Sequence, residues 1–192
     1  MSRDLTQLLA DWLAAGGVRI GQIAVRRVPE GLELRHLEDA ERSDLQTHTR
    51  PEDARVLANL DASGEFRPLK TSSNLVRGWR LVLADAAALR LALDYFYPAM
   101  LGVWNSHTRG ELVPVPLRET LGRQTGMYRV TQKITDAQAR MLIDGFCSGC
   151  LKCRLWDGQT PRAAGGEMPL LCQEACNLLV AKAREVVKGG TE

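Results

Sequence analysis

The chain has 192 residues, room for one large domain or two small ones with a modest core each. Aromatics make up only 5% of it, so aliphatic side chains must supply most of that core. Charged residues make up 25% and the formal net charge is +2, which leaves no large electrostatic footprint for nucleic acid or an anionic membrane, and neither is expected as a partner.

"LTQLLADWLAAGG" puts Leu5, Leu8, Leu9, Trp12 and Leu13 on one helical face, and Gly16 and Gly17 close it as a C-cap. "VRIGQIAVRRV" then carries Val18, Ile20 and Ala24 on one side, and "GLELRHL" alternates Leu32 and Leu34 against Glu33 and Arg35. Pro29, Glu30 and Gly31 supply turn chemistry between the two, so a β-hairpin is expected. Residues 39–50 are polar and read as a loop. "PEDARVLANLD" opens on Pro51 and predicts a short helix with Val56, Leu57 and Leu60 as its apolar side. A turn and an irregular polar link lead to a strand from Trp79 to Leu83, and "DAAALRLALDYFYPAM" restarts a helix that Pro98 ends or bends.

Beyond Tyr97 the strand signal fades. "PLRETLGRQ" predicts a short helix with Pro116 at its start, and "ITDAQARMLIDGFC" another, with Thr135 as cap and Gln138 at capping-box spacing. Gly145 should end that helix two residues before Cys147. "DGQTPRAAGGEMP" is a loop, and "LCQEACNLLVAKAREVVKGG" reads as a terminal helix. The fold class expected is α+β: a small antiparallel sheet with helices over residues 1–96, followed by a mainly helical domain over 97–192.

All five cysteines, Cys147, Cys150, Cys153, Cys172 and Cys176, fall in the last quarter of the chain. No apolar run reaches the roughly 18 residues that span a bilayer. The N-terminus carries acids and Trp12 where a signal peptide would be apolar, so a cytoplasmic location is expected. In that reducing compartment clustered cysteines are more often metal ligands or redox groups than disulfides. "CSGC" has the CxxC spacing that curls one segment around a metal, with Gly149 permitting the turn. Cys172 and Cys176, four apart at the expected start of a helix, would project from one face of its first turn, beside N-H groups and a dipole end that favour an anionic centre.

Spacing leaves Cys147, Cys150 and Cys153 as equal candidates. It also leaves the metal open between an iron-sulfur cluster and a four-cysteine zinc site. Two familiar iron-sulfur patterns fail. The bacterial ferredoxin run begun at Cys147 needs a cysteine at 157, which is Asp, and the radical-SAM pattern begun at Cys172 needs one at 179, which is Leu.

The stretch "YFYPAM...ELVPVPLRETLGRQTGMYRV" with "CSGCLKCRLW" and "CQEACNLLVAKAR" resembles the C-terminal 4Fe-4S cluster-binding domain of CbiX-like two-domain chelatases of the cobalamin and sirohaem pathways. "GEFRPLKTSSNLVRGWRL" before "FYPA" resembles the accessory stabilising domain that precedes it. The resemblance implies a [4Fe-4S] cofactor on Cys147, Cys150, Cys172 and Cys176, with Cys153 a spare on a variable position, and zinc as the alternative. It further implies a chelatase or other tetrapyrrole-pathway protein as partner and a redox or accessory role. The chelatase half is absent: His36, His48 and His107 are widely spaced and form no ligand pattern, so chelation is not assigned to this chain.

Arg123 and Arg129, with Gln124 and Tyr128, could hold the carboxylates of a tetrapyrrole, since guanidinium groups bind carboxylates bidentately. The plainer expectation is that they tie helices together. Trp79, Trp104 and Trp156 are expected in the core or as an apolar shield for the centre, and His107 on a surface loop. No hydrolytic triad, phosphate loop or carboxylate pair is present, so no catalytic residue is named.

Overall fold

A computed structural model describes residues 4–17, 19–60, 63–65, 75–148, 150–161 and 166–189. Val18, the polar link through 66–74 and Gly149 therefore lie outside the described residues. The elements of the first half are α1 (Leu5–Ala14), β1 (Arg19–Ile20), β2 (Ile23–Val28), β3 (Gly31–His36), β4 (Gln46–His48), α2 (Asp53–Leu57), β5 (Trp79–Leu83), α3 (Ala86–Phe96) and α4 (Met100–Thr108). Those of the second are α5 (Leu117–Gly122), α6 (Asp136–Phe146), β6 (Cys153–Arg154), β7 (Glu167–Met168), β8 (Leu171–Cys172) and α7 (Asn177–Gly189), with 3-10 turns at Leu37–Asp39, Gly126–Lys133 and Leu155–Asp157.

Two compact units result, one of residues 1–111 and 162–170, the other of 112–161 and 171–192. They part between Glu111 and Leu112 rather than after Phe96, because α4 packs on α1 and brings Met100 and Leu101 into the first core. His107 accordingly sits in the last turn of α4, not on a loop, with its ring tilted against Trp104 at 5.8 Å.

The first unit is built on a sheet of order β4-β5-β3-β2-β1-β7. Its centre is antiparallel, as the hairpin alternation implies, with Val25 opposite Leu34 and Leu34 opposite Leu81 on the core face. Both edge strands add in parallel, β4 to β5 and β7 to β1, so the sheet is larger and more mixed than expected. The edges are two and three residues long, too short to show alternation in sequence, and such short strands blunt an edge against further pairing.

Helices α1, α2 and α3 are packed together over this sheet's core. Local chemistry starts them: the Asp4 carboxylate accepts from the Thr6 N-H at 2.9 Å, and Asp85 accepts from those of Ala87 and Ala88. Gly16, at φ 89°, closes α1 in the left-handed conformation expected of a helix end. Trp79 stacks on Phe96 with ring centroids 5.1 Å apart.

The hairpin turn depends on one glycine. Gly31 lies at φ 136°, and a Cβ there would stand 2.2 Å from the Leu83 carbonyl oxygen on β5. Gly31→Ala is expected to destabilise the first unit by more than about 1 kcal/mol, since both backbone conformation and strand spacing oppose the methyl. A urea midpoint unchanged from wild type would refute this.

The second unit gathers Leu117, Leu121, Ile134, Leu142, Leu179 and Ala183 between α5, α6, α7 and the Gly126–Lys133 turn. The Thr135 capping box at the start of α6 forms as predicted. Gly145 does not end that helix: α6 runs through Phe146, and Cys147 caps it, its N-H donating to the Ile143 carbonyl at 3.0 Å. The terminal helix also starts later than expected, at Asn177. Leu171, Ala175 and Leu179 keep helical spacing, but the backbone stays extended through Cys172, where β8 pairs with β6 in parallel.

Candidate metal centre

The two cysteine segments approach each other on the second unit from different elements. Cys147 terminates α6, and the Cys150 N-H donates to the Cys147 carbonyl at 3.1 Å, the tight curl that CxxC spacing allows. Cys172 lies on β8. Cys176 stands immediately before α7, its carbonyl accepting the first helical bond from the Val180 N-H at 3.0 Å. The expectation that Cys172 and Cys176 share one helical turn is therefore corrected: a strand residue and a helix-capping residue present them.

All five cysteines are free thiols. Among the described residues no group of three or more His, Cys, Asp or Glu side chains stands as a ready-made metal site. The thiols are nonetheless within electrostatic reach of one another. Burial pushes the Cys147 thiol up, a hydrogen bond and the charge of Arg154 oppose this, and Cys150 and Cys176 add to the rise. Burial likewise raises Cys172, against the indole of Trp156 and the charge of Lys152, with Cys176 and Cys150 again adding to it.

Donors surround these sulfurs. Trp156 Nε1-H donates to Cys172 Sγ at 3.3 Å, and the Cys172 thiol donates to the Glu174 carbonyl at 3.1 Å. Arg154 is held by Asp157 at 3.2 Å and by the Ile143 carbonyl at 3.3 Å, and its buried Nε has no hydrogen-bond partner. An orphaned cationic N-H, an indole N-H and the start of α7 beside four thiols suit a negatively charged thiolate-bound group.

Cys153 is placed differently. On the parallel ribbon Cys153 stands opposite Leu171 and Arg154 opposite Cys172. Successive strand residues project to opposite faces, so Arg154 shares a face with Cys172 and Cys153 lies on the other, although the Cys172 charge still adds to the rise of its thiol. Its thiol meets the Gln159 carbonyl at 3.7 Å.

The remaining residues singled out from the sequence divide. Arg123 pairs with Glu119 one helical turn away, Gln124 bonds the Thr120 carbonyl, and Tyr128 lies under Arg184 at 5.7 Å, so these three are engaged within the unit. Arg129 is exposed. Trp79 and Trp104 belong to the first unit's core, and His36 is buried there with Nδ1 accepting from the Glu38 N-H. Sequence reasoning treats Trp156 only as a shield. Its contact with Cys172 depends on strand pairing that no local pattern announces.

The stabilising domain of DR2241, as a family, matches residues 7–108, which is 102 of the 192 residues. The chain belongs to the DR2241 stabilising-domain family. Residues 109–185 match the 4Fe-4S iron-sulfur cluster binding domain, so this DR2241-type chain carries a cluster-binding second half. The match gives zinc, open from spacing alone, no support.

A solved structure, that of DR2241 from Deinococcus radiodurans, is 36% identical with a TM-score of 0.82, over 94% of this chain and 42% of that one. It is described as a multi-domain protein with structural similarity to chelatases and with two additional novel domains. The present chain thus spans about two-fifths of its length. No curated protein matches the chain. No described helix is long and apolar enough to cross a membrane.

Proposed function

We propose that Cys147, Cys150, Cys172 and Cys176 hold the [4Fe-4S] cluster, and that the chain works beside a tetrapyrrole chelatase, transferring electrons or sensing redox state. When bound, the cluster supplies a one-electron couple. The observation that carries the ligand assignment is the Trp156 Nε1-H donating to Cys172 Sγ at 3.3 Å, with Cys150 and Cys176 within electrostatic reach of both Cys147 and Cys172. A chelatase partner is favoured by the likeness of the DR2241 structure to chelatases, of which this chain matches under half. Five free thiols suit a reducing, cytoplasmic setting. Arg129, exposed on the Gly126–Lys133 turn, is the side chain left to meet an anionic partner or tetrapyrrole carboxylate.

Anaerobic purification with iron and sulfide analysis, followed by EPR of the dithionite-reduced protein, tests this. The expected result is a brown protein with four irons and four sulfides per chain, whose broad visible absorbance bleaches on reduction. A colourless protein carrying one zinc would overturn it. Cys153→Ser is expected to keep the full iron complement, because Cys153 faces the opposite side of the β6-β8 ribbon from Cys172. Loss of iron in that variant alongside retention in Cys147→Ser would overturn the ligand set.

A further inference from the structure

Trp156 occupies a position that a mere apolar shield would not need. It sits on the one-turn 3-10 segment Leu155–Asp157, closed by Gly158 at φ 71°, and is 8% exposed within the second core. A buried indole N-H requires an acceptor. Among the described residues its hydrogen-bond partner is Cys172 Sγ, at 3.3 Å. The segment is short, and the Leu155–Asp157 turn packs directly on β8, so the ring and the sulfur are fixed by the same few residues.

We infer that Trp156 is a positioning residue that sets the reduction potential of the centre through its Nε1-H···Sγ bond to Cys172. This rests on Cys172 being a cluster ligand. As a free thiol, Cys172 spends its own proton on the Glu174 carbonyl, and its sulfur lone pairs accept the indole N-H. As a ligand it has lost that proton and carries negative charge, so the indole bond becomes charge-assisted and strengthens. One added electron increases the charge on sulfur further. The bond therefore stabilises the reduced state more than the oxidised one and raises the potential. Arg154 stands opposite Cys172 on the ribbon, but its removal would also delete a cation, so Trp156 is the cleaner probe.

The opposing effect has the opposite sign. The other surroundings of Trp156 include a surface recess of about 240 Å³ lined also by Leu117, Arg118, Ala139 and Ile143. Shrinking the ring would let water in from that side, and water near a cluster raises its potential. The direction of the shift thus separates a hydrogen-bond donor from a plug.

Trp156→Phe keeps an apolar ring and removes the donor. With iron content measured first, its midpoint potential against an electrode is expected to fall by about 59 mV, the one-electron equivalent of a tenfold loss in the equilibrium constant for reduction. An unchanged or higher potential at full iron content would overturn the inference while leaving the ligand set intact. Wild-type protein lacking iron would overturn the ligand set itself. Should the variant fail to retain iron, wild-type protein labelled with ¹⁵N at the tryptophan indoles decides the matter. Pulsed EPR of its reduced cluster should show a ¹⁵N coupling, and a spectrum without one would overturn the inference.

Discussion

Cys172→Ser is expected to cost more than about 100-fold in cluster retention and to loosen the second unit. Outer partners of metal ligands are worth about 10- to 100-fold in affinity, so loss of a ligand itself should exceed that range. Of the four proposed ligands, Cys172 is deeply built into the fold: it lies on β8, packs against the second core and holds the Trp156 indole. Serine removes the soft sulfur and offers a hydroxyl that must stay protonated or be stripped of its proton at high cost, so the site loses affinity and the core loses packing together. On the proposed ligand set, cluster binding and folding should be coupled in this half, because the cysteines come from two segments joined by the β6-β8 pairing. Cys176→Ser, at an exposed position ahead of α7, should lose iron comparably but disturb packing less. Iron per chain and limited proteolysis within 112–161 distinguish the two. Equal iron in Cys172→Ser and wild type would remove Cys172 from the ligand set.

Sequence patterns expose those parts of this fold whose causes are local. The caps at Asp4, Asp85 and Thr135 each bind backbone within three residues, and the one at Thr135 is announced by its capping-box spacing to Gln138. The hairpin follows from alternation plus a turn glycine. The edge strands β4 and β7 and the ribbon β6-β8 escape because two or three residues cannot display a period, and their partners are distant in sequence. The misplaced start of α7 has the same origin: helical spacing at Leu171, Ala175 and Leu179 is a weak preference that strand pairing at Cys172 overrides. For the centre, cysteine spacing leaves Cys147, Cys150 and Cys153 equal, and what sets Cys153 apart is its place on the β6-β8 ribbon, while Cys147 ends α6 and Cys150 follows in the curl after it. The contact of Trp156 with Cys172 requires that same pairing and so leaves no trace in the spacing.

Alternation misleads at one further place, with a large expected consequence. Glu33 and Arg35 alternate with Leu32 and Leu34, which reads as a solvent face, yet Glu33 is 1% and Arg35 6% exposed. Glu33 Oε1 accepts from Arg35 Nε at 2.7 Å and from Arg26 Nε at 2.7 Å, while Arg35 Nη1 reaches the Ala40 carbonyl at 3.0 Å. Burial pushes the Glu33 carboxyl up, but the hydrogen bonds and charges of Arg26 and Arg35 outweigh it and hold the group below the ordinary carboxylate range. Its folded pKa is thus lower than its unfolded one. The pair's stabilisation is fully present above about pH 4.3, the unfolded value, and is lost as pH falls through that value toward the folded one. Glu33→Gln would leave the buried Arg35 guanidinium without its counter-charge, at a cost of about 3–5 kcal/mol at neutral pH. The contact with Arg26, whose side chain is 52% exposed, adds little to that sum. Hydrogen exchange of the β2 and β3 amides in urea at pH 7 and pH 4 measures it: the gap between wild type and variant should narrow at the lower pH, where Glu33 of the unfolded wild-type chain begins to take up a proton while the folded one stays ionised. A gap independent of pH would place the loss in packing rather than in charge. If Glu33→Leu combined with Arg35→Met proved as stable as wild type, the pair's role would be to keep this strand in register rather than to hold the sheet together.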